Sequence, residues 1–149
     1  MSLIIPSQKS QSNASEDVFC IFNPSIEIEF LTWNDCMDIS ANNLFTFGSH
    51  SVNHRLLSKL TDAESFKELK DSKYEIEDRL KIKCQHFAPP VGDYISPRDI
   101  NFCKEIGYKS LSTTERGKMD DLILNPYSLK RQHLLAIWDL NYLNFFFNK

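Results

Sequence analysis

Two histidines stand four residues apart in the stretch Phe47-Gly48-Ser49-His50-Ser51-Val52-Asn53-His54. On a helical turn, residues i and i+4 share a face about 5–6 Å apart, so both imidazoles could point at one ion. The pair supplies two ligands, whereas a catalytic zinc site usually takes three protein ligands and a water. A third ligand must therefore come from elsewhere or be absent. The other reading is two surface or capping histidines at a strand end.

A second stretch with chemical content is Pro89-Pro90-Val91-Gly92-Asp93-Tyr94. Asp93 could be a substitute ligand if its loop bends toward the metal, because zinc accepts carboxylate oxygen. The simpler reading is a turn residue beside Gly92. Trp33 and Trp138 read by default as buried aromatics packing the core. His86 and His133 read as structural or surface histidines, and Glu16-Asp17 as a solvated acidic pair before a strand. Cys20, Cys36, Cys84 and Cys103 form no C-x-x-C pair, which excludes a zinc knuckle and a thioredoxin-type motif and points to buried free thiols in a reducing compartment.

The elements that must position these residues follow from the pattern of apolar residues. Residues 1–16 are polar and Ser-rich and read as a flexible arm, leaving residues 17–149 as a single domain. Val18 to Phe22 is an apolar run closed by Asn23-Pro24, which predicts a strand buried on both faces. Ile26, Ile28 and Phe30 alternate with acids as an extended connection. Thr32 begins a short helix with Asp35 as the capping-box acid, and Asn42-Asn43 is a turn before a strand, Leu44 to Phe47. The clearest helix spans Asp62 to Leu80, with Thr61 and Glu64 as a capping box. Phe66, Leu69, Ile76 and Leu80 form its inner stripe, and its Glu and Lys residues the solvated face. Cys84 to Phe87 is the next strand, stopped by Pro89-Pro90. Ser96 as N-cap, Pro97 at N1 and Asp99 at N3 open a helix that Gly107 ends, and Tyr108 to Thr113 is β-like. Asn125-Pro126-Tyr127 is a turn, after which Leu134 to Trp138 reads as a strand leading into an aromatic, partly helical terminus.

Strands alternating with helices predict an α/β fold with a parallel sheet, in which both candidate loops lie at the C-terminal ends of strands and open onto one face. The chain has 149 residues, short of the roughly 250 of a complete α/β barrel. A formal charge of −3 without a basic stripe argues against nucleic acid or an anionic membrane as partner. The N-terminal segment lacks the apolar core of a signal peptide, and no stretch is long enough to span a bilayer, so the expectation is a soluble, cytoplasmic chain.

In this setting the sequence resembles the polysaccharide deacetylases of the NodB-homology type, carbohydrate esterase family four. His50-Ser51-Val52-Asn53-His54 matches that family's His-(Ser/Thr)-x-x-His motif in full, after Gly48-Ser49. Phe30-Leu31-Thr32-Trp33 is similar to its lead-in, and Phe87-Ala88-Pro89-Pro90-Val91-Gly92-Asp93-Tyr94 to its third motif. The helix ending in Ile106-Gly107-Tyr108 is also similar, and the likeness covers roughly residues 18–114. The resemblance implies a partial or distorted (β/α) barrel and metal-dependent hydrolysis of acetyl groups from an N-acetylated carbohydrate. It also implies a divalent ion, often zinc, on His50 and His54, an oxyanion held by the backbone N–H of Val91, and substrate contacts from Pro90, Gly92, Asp93 and Tyr94. The family's Thr-Phe-Asp-Asp-Gly run, source of the general base and third ligand, should precede Val18 by several tens of residues and is absent here; the late Leu-x-His motif is not recognisable. The resemblance thus implies an N-terminally truncated member whose own turnover is in doubt. The alternatives are a non-catalytic glycan- or metal-binding remnant and a structural α/β module. An open sheet edge or the aromatic C-terminus would favour homo-oligomers.

Overall fold

A 19-residue helix, α2 (Asp62–Leu80), is the wall against which the site is built. Thr61 starts it: its hydroxyl accepts the Glu64 N–H while the Glu64 carboxylate accepts the Thr61 N–H at 3.0 Å, the predicted capping box. Lys81 ends it in the left-handed conformation, φ 54°. Leu69, Ile76 and Leu80 are buried as expected, and Phe66 meets Phe102 edge to face with ring centroids 5.4 Å apart.

The solvated-face reading fails at two positions. Glu68 and Lys73 are buried, together with Ser65 and Ser72, because they fall at the same three- and four-residue spacings as the apolar stripe. Lys73 donates to the Cys84 carbonyl, pairs with Glu77 at 3.0 Å and lies over the Tyr108 ring. Buried polar groups of this kind persist because each has a partner.

The computed structural model describes the backbone of Ser2–Ile5 together with residues 31–117, 125–131 and 139–141. Among the described residues four strands, β1 (Ser2–Ile5), β2 (Thr46–Ser49), β3 (His86–Phe87) and β4 (Ser110–Leu111), form one all-parallel sheet in chain order. Helix α1 (Trp33–Ser40) precedes β2, α2 links β2 to β3, and α3 (Arg98–Ile106) links β3 to β4. This is the expected alternation, a (β/α) sheet that is unclosed among the described residues, with its helices as crossovers. Ser49 on β2 and Ser72 on α2 share a buried hydroxyl hydrogen bond, and Tyr108 before β4 donates to the Leu69 carbonyl at 2.8 Å. Phe47, Phe87 and Leu111 complete the packing between sheet and helices.

Several expected boundaries move. Residues 2–5 are a strand rather than part of a flexible arm, since Leu3-Ile4-Ile5 is an apolar run with two β-branched isoleucines that finds a partner in β2. Residues 6–16, and the strand expected from Val18 to Phe22, lie outside the described residues. The strand predicted for Leu44 to Phe47 runs two residues later. Asn42 turns the chain, its side chain accepting the Leu44 N–H at 3.0 Å and its carbonyl the Phe45 N–H at 3.1 Å, and Leu44 is left exposed. The strand at Cys84 is shorter, only His86–Phe87.

At the start of α3, Pro97 rather than Ser96 holds the N-cap position and makes no side-chain cap. Asp99 does that work from inside the helix: its carboxylate accepts the Ile95 N–H at 2.6 Å, the Ser65 hydroxyl at 2.7 Å and the Arg98 Nε at 2.9 Å. Arg98 also donates to the Leu57 and Leu60 carbonyls at 2.7 and 3.0 Å. The capping box at Thr32 and the C-terminal Gly107, φ 89°, are as expected.

Cys36, Cys84 and Cys103 are buried and free, and burial pushes the Cys84 thiol up to about 11 and the Cys103 thiol up to about 12. Cys20 and the expected elements at residues 132–138 and 142–149 lie outside the described residues. Among the described residues no helix is long and apolar enough to cross a membrane.

Candidate metal centre

His50 leaves the C-terminal end of β2, and the chain then turns sharply. Ser51 at φ 67° and His54 at φ 54° are both left-handed, so the motif is a loop and not the helical turn that its spacing suggested. The loop nevertheless brings the rings together, with centroids 5.0 Å apart and planes at 70°. Ser51 is buried, and its hydroxyl accepts the His54 N–H at 3.1 Å. Glu68 reaches over from α2 and accepts the N–H groups of Val52 and Asn53 at 3.0 and 2.9 Å on one oxygen and the Asn53 amide at 2.6 Å on the other.

The His50 ring is oriented from behind. Its Nδ1 lies 2.6 Å from the Ala88 carbonyl, which can only accept, so Nδ1 carries the proton and Nε2 presents its lone pair. Burial holds the His50 imidazole below the ordinary histidine value, aided by the positive charges of His54 and Arg131 and opposed by the Ala88 hydrogen bond. A neutral imidazole is the form that binds metal.

Ala88 also begins the second loop, so the two motifs touch directly. Its N–H donates to the Ser49 carbonyl at 3.0 Å. Pro90–Gly92 is a 3-10 turn in which Val91 takes a left-handed conformation, φ 57°, and is 72% exposed. A β-branched residue held there is strained, a condition that gathers at functional sites. The Val91 N–H meets no acceptor among the described residues. Gly92, φ 79°, is packed against Thr114 so closely that a Cβ would come within 2.3 Å of the Thr114 hydroxyl.

Asp93 is already engaged: its carboxylate accepts the Ser58 N–H at 2.7 Å and ties this loop to the segment after His54. That is the turn-residue reading. Pro90 is buried, and Tyr94 packs partly buried against the core. Trp33 does the same, under the Arg79 guanidinium at 4.8 Å, while Trp138 and His133 lie outside the described residues. His86 faces Ser110 at 2.8 Å. Both line a cavity of about 460 Å³, with Gly48, Ser112, Lys130 and Arg131.

Two histidine nitrogens fit a zinc-type ion, but among the described residues no group of three or more His, Cys, Asp or Glu converges. The site thus brings together two histidine rings and the exposed turn at Val91 on adjacent strand ends.

The polysaccharide deacetylase family model matches residues 10–111, more than half of the sequence. The chain belongs to the polysaccharide deacetylase family. A solved deacetylase of Streptococcus pyogenes, PplD in complex with acetate, superposes on this family member with a TM-score of 0.69 at 25% identity, over 76% of this chain and 49% of that one. A polysaccharide deacetylase from Bacillus cereus gives 0.64 at 20% identity, over 76% and 35%. The BpsB deacetylase domain from Bordetella bronchiseptica gives 0.61 at 18%, over 86% and 59%. This deacetylase-family chain therefore spans about a third to three fifths of the length of these solved relatives. A search of curated proteins found no match.

Three contributors to the site were missed from sequence. Glu68 was read with the exposed acids of α2, although its place one residue before Leu69 puts it beside the buried stripe. The Ala88 carbonyl carries no sequence signal, and neither does Arg131, whose Nε donates to the Thr113 carbonyl at 2.6 Å.

Proposed function

We propose that this chain carries the metal- and acetyl-binding half of a carbohydrate deacetylase centre, taking an N-acetylated sugar polymer as ligand. The observation that carries the reading is the Nδ1–H of His50 fixed on the Ala88 carbonyl beside His54, which leaves a neutral Nε2 directed away from its backbone anchor. His50 and His54 would hold a divalent ion, zinc by their chemistry, which when bound activates water and polarises a carbonyl. The Val91 N–H donates to the acetyl oxygen as it gains negative charge, and its left-handed backbone fixes that donor before substrate arrives. Gly92, Asp93 and Tyr94 would form the rim where the sugar rests, whereas Pro90, expected there from sequence, is fully buried and shapes the turn from below.

A general base is worth about 10²–10⁴ in rate. With no carboxylate gathered beside the histidines among the described residues, the isolated chain turns over slowly. The same observation favours a second reading, a non-catalytic metal- and glycan-binding module.

The test is zinc titration of the wild-type chain and of His50→Ala, alongside acetate release from N-acetylglucosamine oligomers. Zinc bound by the wild type and lost in the variant, with slow acetate release, supports the proposal. Zinc without acetate selects the binding module, and a wild type that binds no zinc refutes both.

A further inference from the structure

We infer that Glu68 is a positioning residue for the histidine pair, a carboxylate on the neighbouring helix that fixes the loop between the two ligands. This rests on the reading of His50 and His54 as ligands. Three donors converge on the one side chain: the backbone N–H groups of Val52 and Asn53 on Oε2, and the Asn53 side-chain amide on Oε1. Val52 and Asn53 are the two central residues of the motif, so the carboxylate grips the only backbone that lies between Ser51 and His54.

That backbone needs holding. Ser51 and His54 both take left-handed conformations that L residues avoid; Ser51 is buried and its hydroxyl holds the His54 N–H, but Asn53 and His54 are exposed, so packing alone does not impose the shape of the two residues between. Glu68 itself is 5% exposed, and among the described residues no Lys or Arg lies within ion-pair distance of it. A buried carboxylate without a cation is kept by its hydrogen bonds, and here all of these go to the loop.

The helix that carries Glu68 is pinned on either side of it. Ser65 donates to Asp99 on α3, and the Leu69 carbonyl accepts the Tyr108 hydroxyl. The position of Glu68 is therefore set by the core, and Glu68 holds the middle of the loop while Ser51 holds its end. Partners outside the ligand shell that orient a metal-binding group typically matter by 10- to 100-fold in metal affinity.

The test measures zinc affinity of the full chain for the wild type, Glu68→Ala and Glu68→Gln, with Leu80→Ala as a variant destabilised at the far end of the same helix. Glu68→Ala should weaken zinc binding about 10- to 100-fold. Glu68→Gln should recover most of that loss, because its carbonyl can take the two backbone N–H groups while the Asn53 amide rotates to accept from its NH₂. Leu80→Ala should lower stability and leave zinc affinity unchanged. Unaltered affinity in Glu68→Ala, or equal losses in Glu68→Ala and Leu80→Ala, would overturn the assignment.

Hydrogen exchange gives a readout independent of metal. The Val52 and Asn53 amides should exchange faster in Glu68→Ala than in Leu80→Ala of matched stability. If the wild type binds no zinc, the deacetylase reading falls, and unchanged exchange at those two amides would still refute the role of Glu68.

Discussion

Replacing Asp99 by alanine removes the group on which the site's two supporting segments converge. Asp99 is fully buried and accepts from Ile95, Ser65 and two nitrogens of Arg98, whose side chain is 14% exposed. Arg98 in turn holds the Leu57 and Leu60 carbonyls, and the segment between them receives Asp93 through the Ser58 N–H. Breaking a buried ion pair by deleting one partner costs about 3–5 kcal/mol, because the remaining charge stays buried without its counter-ion. The orphaned Ile95 N–H and Ser65 hydroxyl would add about 1–3 kcal/mol each if water could not reach them. Arg98 keeps two carbonyl acceptors and is partly solvated, which pulls the sum back, so a loss of about 4 kcal/mol is expected. For a chain of this size, each kcal/mol corresponds to about 2–4 °C, so Tm should fall by about 8–16 °C. Urea unfolding should show the same loss as a lower midpoint at unchanged slope. Asp99→Asn, which keeps one carbonyl oxygen, should lose about half as much. An Asp99→Ala variant within about 1 kcal/mol of wild type would show that the cluster is solvated and that the segments around the site are held by packing alone.

Two further outcomes follow from backbone and charge. Lys81 is an L residue in the left-handed position at the end of α2 and its side chain is exposed, so Lys81→Gly should stabilise the chain by about 1 kcal/mol in the same urea experiment. Burial depresses both His50 and His86 in the folded state. The unfolded chain therefore binds more protons just below the ordinary histidine value of about 6.5, and the stability these groups contribute is complete above that pH and drains away as pH falls through their folded values. Thermal unfolding scanned over this range should show the drop, and His50→Gln with His86→Gln should flatten it.

The helices were legible because their signals are local. Thr61 with Glu64, Thr32 with Asp35, and Gly107 after Ile106 each state a boundary within one turn of chain, and all three stand where they were read. Strand ends were less legible. The start of β2 is decided by how Asn42 turns the backbone, which the apolar run Leu44 to Phe47 does not reveal. At the site, the histidine pair was readable by type and spacing, yet the spacing suggested a helical turn and the chain makes a left-handed loop. What holds that loop, Glu68 and the Ala88 carbonyl, is distant in sequence. One is an acid among many on a long helix, and the other is a backbone atom, so neither leaves a pattern to find.

The placement of β1 has a consequence for the chemistry of its neighbour. In a parallel sheet, Ile5 stands opposite Ser49, so the chain leaving β1 begins level with His50. Residues 6–45 separate these partners, and closing a loop of that length costs on the order of 3 kcal/mol, to be recovered by only four paired residues. The sequence running on from Ile5, Pro6 to Ser15, contains no acidic residue. The strand that flanks β2 on the side away from β3 is thus held by few paired residues against a long loop, and Ser2 to Ile5 themselves carry no charge to set against a divalent ion.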